Sequence, residues 1–251
     1  MMNHFVVTPA MGKRLIGKAM AVHPAVQAAM EKGTLAIIAG TTNGYVAEEI
    51  LEATDQLEGF SRQGFRRGMV VPSRFDMAEA KADFSGDVVL VDGVWQRGKT
   101  IFDVADELEV GDVILKGANA LDLARGRGAV LIGDKQAGTA GAAIRAVYGR
   151  RARLIVPVGL EKRVPDDLAE LADHVNAGDA EGPRMLVLPG EVFTELDAVK
   201  LLAGASARLL AGGGVYGAEG AAWLVVTGHV GQLEAAAELM RSLADEPACR
   251  A

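Results

Sequence analysis

The chain has 251 residues, a formal net charge of −7, half of its residues hydrophobic and only 5% aromatic. That length suits one large domain, or a large one with a small one, and leaves ample chain for a core. Mild acidity without a concentrated Lys/Arg face argues against a nucleic-acid partner, and a single cysteine, Cys249, excludes a disulfide framework or a thiolate zinc site.

His4, His23, His174 and His229 are scattered without metal-ligand spacing, so no metal is expected. No signal-peptide pattern and no apolar run of bilayer-spanning length is read; no membrane partner is expected, and the cytoplasm is the expected location.

Two short helices are predicted over 11–21 and 24–32, the second opened by Pro24 and stopped by Gly33. The stretch 34–54 is the most informative. An apolar run (Leu35, Ala36, Ile37, Ile38, Ala39) reaches Gly40, and a polar loop of Thr41, Thr42, Asn43 and Gly44 leads into a helix. Such a junction presents unpaired N–H groups and the positive end of a helix dipole. It serves equally as an anion cradle or as a well-capped turn.

Further on, strands are expected over 69–71, 87–91, 113–116, 129–132 and 153–156. A helical turn is expected over 77–82, and helices over 101–108, from the Gly-rich loop 133–141 through Tyr148, and after Pro165. Strands alternating with helices predict an α/β chain with a mostly parallel sheet and helices on both faces. The segment 176–183 (NAGDAEGP) has linker chemistry. It divides an α/β domain, 1–178, from a small C-terminal α+β subdomain, 183–251, with elements in the order βαββα: a strand over 185–188, a helix over 192–202, strands over 207–211 and 222–227, and a helix over 230–244.

In open parallel sheets, ligands gather beyond the carboxyl ends of the strands. The residues that follow the predicted strands are Gly40, Thr41, Thr42, Asn43 and Gly44; Asp92; Lys116, Gly117 and Asn119; Lys135, Gly138 and Thr139; and Glu161 with Lys162. This mixture of ammonium, carboxylate, amide and hydroxyl groups suits a small phosphorylated or carboxylated metabolite. Lys116 stands out, because a lysine ending an apolar strand is partly desolvated, and its ammonium can stabilise an enolate-type oxyanion. There is no G-x-S-x-G elbow and no G-x-G-x-x-G after a strand.

Three pieces, in this order, resemble ribose-5-phosphate isomerase A. Ile38 to Gly44 looks like its phosphate loop, Val91-Asp92-Gly93 like its Asp-Gly motif, and Ile114-Leu115-Lys116-Gly117-Ala118 like its Lys-Gly-Gly strand end. The wider group includes glucosamine-6-phosphate deaminases, DeoR-type sensor domains, CoA transferases and lactate-utilisation domains. The resemblance implies a Rossmann-like fold and a sugar-phosphate isomerase working through an enediolate. It also implies a phosphate held at 40–44, Lys116 and Asp92 as catalytic groups, and a carboxylate base, Asp122 or Glu161. No cofactor is implied, and a homo-oligomer is compatible with it. The alternatives are a non-catalytic metabolite sensor of the same fold, or a CoA or acyl-group enzyme.

Overall fold

The computed structural model describes residues 1–67 and 86–248. The strand expected over 69–71, the helical turn over 77–82 and Cys249 lie outside the described residues. In chain order the first part runs β1 (Met2–Val7), α1 (Pro9–Ala21), α2 (Pro24–Glu31), β2 (Thr34–Ile37) and α3 (Thr41–Ala53). Thr8 caps α1 by accepting the Met11 N–H, with Pro9 at the first helical position, where a missing N–H costs nothing. The middle part holds β3 (Val88–Val91), β4 (Val94–Trp95), α4 (Ile101–Val104), β5 (Val113–Leu115), β6 (Ala120–Asp122) and β7 (Arg127–Ile132). Then come α5 (Gly138–Arg150), β8 (Arg153–Pro157), a 3-10 turn (Leu160–Lys162), α6 (Leu168–Val175) and β9 (Arg184–Val187). The chain continues through β10 (Glu191–Phe193), α7 (Glu195–Ala203), β11 (Ser206–Gly212), β12 (Ala222–Thr227) and α8 (Val230–Ser242).

The chain is a mixed α/β protein built on a six-stranded sheet in the order β10-β8-β5-β2-β3-β4. Strands β10, β8, β5 and β2 are parallel. Their side chains are buried in near-continuous apolar runs (Leu35, Ala36 and Ile37; Val113, Ile114 and Leu115; Leu154, Ile155 and Val156), as a sheet covered on both faces requires. Strand β3 runs against this direction, and β4 turns back to run with it. Asp92 (φ 46) and Gly93 (φ 75) make a two-residue turn with both central residues left-handed, the geometry that suits a tight hairpin, and it folds β3 back into β4. β3 is antiparallel to β2, with Thr34 opposite Val91 and Ile37 opposite Val88. The mostly parallel sheet is therefore as expected, with an antiparallel hairpin at one edge.

Two three-stranded antiparallel sheets, β1-β12-β11 and β6-β7-β9, complete the architecture. The segment 183–251 gives strands to all three sheets. β9 pairs with β7, β10 lies parallel to β8, and β12 lies between β1 and β11. Strand β10 takes residues that were expected to open a helix over 192–202. That helix starts later, at Glu195, because Thr194 and Asp197 form a reciprocal capping box. Strands β1, β4 and β6 were not expected; they are two to six residues long and paired at hairpins or sheet edges. Among the described residues, no helix is long and apolar enough to cross a membrane.

At the amino ends of β2 and β5, the buried Asp112 carboxylate ties the strands together. It accepts from Thr34 N at 2.7 Å and from Glu109 N at 2.7 Å, while its own carbonyl accepts from Arg153 N at 2.9 Å. Asp112→Ala leaves two backbone N–H groups without their charged acceptor. We expect it to lower unfolding free energy by about 2–4 kcal/mol, read as a lower urea midpoint at unchanged slope. Asp112→Asn should recover part of that loss, and equal stabilities for Ala and Asn would show that the carboxamide oxygen cannot take up these bonds.

Candidate functional site

Because β2, β5, β8 and β10 are parallel, the segments that follow them meet at one edge of the main sheet. α3 begins there at Thr41, so Thr41, Thr42, Asn43 and Gly44 are its first turn rather than a preceding loop. Gly40 is the cap residue, with extended backbone, and it supplies no side-chain bond to the turn. Asn43 instead works across the junction: its amide donates to Ile38 O at 2.7 Å and to Leu115 O at 2.9 Å. One side chain thus holds the end of β2, the end of β5 and the start of α3. The Thr42 hydroxyl and the Asn43 Oδ1 are enclosed, with no hydrogen-bond partner among the described residues. Enclosed polar atoms without partners are uncommon in folded proteins.

Lys116 follows β5 directly and is only 9% exposed. Its ammonium donates to Thr139 Oγ1 at 3.0 Å, in the first turn of α5. Burial pulls its pKa down to about 8; the nearby Asp87 carboxylate opposes this and the Arg67 guanidinium adds to it. Asp87 is itself enclosed at the start of β3. It accepts from Ala39 N and Ile101 N, both at 2.9 Å, and from Arg67 Nε at 3.1 Å.

A second polar group lies where β8 and β10 end. Lys13 of α1 donates to Glu161 Oε1 at 2.6 Å and to Pro9 O at 3.2 Å. Glu195, the first residue of α7, is 2% exposed and accepts the Leu160 N–H with both oxygens, at 2.9 and 3.2 Å. Burial, reinforced by the neighbouring Glu161 charge, raises the Glu195 pKa to about 7. Lys162 donates to Ala118 O at 2.8 Å, closing the 3-10 turn onto the loop after β5. Gly117 passes close to β8, where an added Cβ would lie 3.7 Å from Pro157 O.

The structure thus brings together Gly40, Thr41, Thr42, Asn43, Gly44, Lys116, Gly117, Thr139 and Glu161 at the strand ends. Others lie elsewhere. Asp92 sits at the opposite end of the sheet from Gly40, because β3 is antiparallel; it accepts Gly33 N at 2.9 Å and serves its hairpin turn. Asp122 is buried on β6. Burial works to raise its pKa, but hydrogen bonds from the Arg125 backbone and guanidinium, at 3.0 and 3.1 Å, outweigh this and lower it. A carboxylate held so firmly in its charged form is a poor base. Asn119 is a bracket between strands, since its Oδ1 accepts Leu131 N at 2.9 Å. Lys135 is exposed in its loop, where Asp134 accepts the N–H groups of Gln136 and Gly138.

Asp87, Arg67 and Glu195 belong to this edge and were not anticipated. The signal for Asp87 was its place at the start of an apolar strand beside a hairpin turn. Because β3 runs against β2, its amino end, where Asp87 lies, is level with the carboxyl end of β2. No protein-family model, curated protein or solved structure matches this chain.

The depressed Lys116 pKa has a consequence for stability. Between about pH 8 and 10.5 the unfolded chain holds a proton at Lys116 that the folded chain does not. Stability therefore rises with pH through that window, and the burial penalty is fully present below it. Lys116→Met keeps the length and removes the charge. It should stabilise the protein at pH 7 by an amount on the order of 3 kcal/mol, with the difference from wild type shrinking toward pH 10.5. Urea unfolding of both proteins at pH 7, 9 and 10.5 measures this, and a constant difference across the series would show that Lys116 is not desolvated.

Proposed function

We propose that the chain is a cytoplasmic enzyme with a Rossmann-like core of the isomerase and deaminase group it resembles, acting on a phosphorylated sugar or similar anionic metabolite. The observation that carries this reading is Lys116. A nearly buried ammonium follows the strand end that Asn43 of α3 holds through Leu115 O, and in the first turn of that helix the Thr42 hydroxyl is enclosed and unpartnered among the described residues. The N–H groups of that turn and its dipole favour a phosphate.

The proposed chemistry is proton transfer next to a carbonyl. Glu161, the expected base that lies at the strand ends, takes a proton from the carbon beside the carbonyl. The electron pair moves to the carbonyl oxygen, and the Lys116 ammonium stabilises the resulting enediolate. The proton then returns to the former carbonyl carbon, while the hydroxyl proton on the carbon first deprotonated passes to the oxygen that carried the negative charge, so that the second oxygen becomes the new carbonyl. Asp92 and Asp122 have no part in this scheme, since their carboxylates are engaged in a hairpin turn and an arginine pair.

A second reading, a metabolite sensor using the same cradle, is favoured by the engagement of Glu161 with Lys13. It predicts ligand binding without turnover. A CoA or acyl-group enzyme would be stabilised by CoA esters and not by sugar phosphates.

A thermal-shift panel of sugar phosphates, CoA esters, nucleotides and inorganic phosphate separates these readings. A ligand at a hundred times its Kd stabilises by about 2.7 kcal/mol. We expect a phosphate-ester hit that survives Asp92→Ala and is lost in Thr41→Glu, which puts a negative charge at an exposed position of the cradle. We also expect product formation, followed by NMR, to fall at least a hundredfold in Lys116→Ala. Binding with no product selects the sensor, and silence across the panel removes the cradle.

A further inference from the structure

We propose that Glu195 is the buried partner of Glu161, that the two carboxyl groups hold one proton between them in the folded protein, and that Glu195 thereby sets the protonation of the base. The role given to Glu161 rests on the function proposed above; the shared proton does not.

The charge count points to it. Two carboxyl groups and one ammonium, Lys13, meet where α1, the 3-10 turn and α7 pack. The surroundings are apolar: Val158, Leu160, Ala198 and Val199 are fully buried. Lys13 is committed to Glu161 at 2.6 Å. Among the described residues, Glu195 receives only the Leu160 N–H from outside its own residue, and no side chain hydrogen-bonds to it. With both acids ionised, one negative charge would stand uncompensated in apolar packing, which costs several kcal/mol. One proton closes the balance. Glu161 Oε2, enclosed without a hydrogen-bond partner among the described residues, is the oxygen that lacks a donor.

The backbone has made room for the two acids. A Cβ at Gly12 would collide with Glu195 Oε1, and one at Gly159 would collide with Glu161 Oε2. Both glycines stand where any side chain would displace a carboxylate. Of the other charged groups on these elements, Lys162 donates to Ala118 O and Arg163 to Leu160 O, while Asp197 caps α7 through Thr194. The upward displacement of the Glu195 pKa, to about 7, agrees with a carboxyl that keeps its proton near neutrality. Two neighbouring carboxyl groups that cannot both ionise at low cost share a proton, a common arrangement for proton transfer.

Glu195 is a positioning residue in this scheme, so its test needs readouts that a packing role would not move. Infrared spectra at pH 6 compare wild type, Glu195→Gln and Glu161→Gln. We expect a protonated-carboxyl stretch in wild type that is absent in Glu195→Gln. Folded stability of wild type should fall as pH rises from 4.5 to 7, because the folded chain holds a proton that the unfolded chain has released. Glu195→Gln should flatten that fall, and Glu161→Gln, which keeps Glu195, should move it down by about one pH unit. Should the Glu195→Gln variant fail to fold, the Glu161→Gln shift alone decides. No protonated-carboxyl band, or a stability profile that Glu161→Gln leaves unmoved, overturns the inference. With a substrate in hand, Glu195→Gln should shift the acidic limb of the pH–rate profile. A protein that shows the band and the shift but turns over nothing keeps the proton pair and loses the enzyme.

Discussion

The carbonyls of Ile38 and Leu115 both end on one buried amide, that of Asn43, and the edge of the main sheet depends on that contact. Where parallel strands stop, their backbone groups lose ladder partners and still need hydrogen bonds. This chain supplies them from buried side chains. Asn43 serves the ends of β2 and β5, Asp87 takes the Ala39 N–H just beyond β2, and Glu195 takes the Leu160 N–H beyond β8. Each solution fixes where the next segment leaves the sheet. The first turn of α3, Lys116 and the 3-10 turn are placed by these contacts rather than by loop sequence alone.

The same solution brings charge into the interior. Asp87 is offset by Arg67 and two backbone N–H groups. Lys116 is offset less well, with a neutral hydroxyl accepting from it and a carboxylate near enough to act only through space. A methionine at 116 would fill similar volume without the desolvation cost, so the ammonium is hard to explain as packing. The proposed anion site rests on this ammonium together with the unpartnered Thr42 hydroxyl at the start of α3.

Much of this was legible in the sequence. Continuous apolar runs at 35–39 and 113–115 marked buried strands, and a lysine closing the second marked a desolvated ammonium. The βα junction at Gly40 was visible from its Gly, Thr and Asn residues. What pattern could not show was strand direction. Asp92 and Asp87 bracket the same four-residue strand; which of them reaches the carboxyl edge of the parallel strands depends on whether β3 runs with β2 or against it. Periodicity is blind to that. Asp122 and Asn119 misled for a related reason: they follow an apolar strand, but a short hairpin, β6 to β7, takes them up at once.

Glu195 was hidden by its own local logic. The run Thr194-Glu195-Leu196-Asp197 has the composition of a capped helix start, and acidic residues belong in a first helical turn. Its significance is tertiary. Strand β10 adds the carboxyl end of the 183–251 segment's second strand to the parallel edge, and this delivers Glu195 beneath Leu160 and beside Glu161. The helix dipole at the start of α7 favours a charged carboxylate there, whereas burial and the Glu161 charge oppose it, and burial wins. A position pulled both ways is one where a small change in surroundings changes the protonation state, which is the property a proton-transfer site needs and a packing site does not.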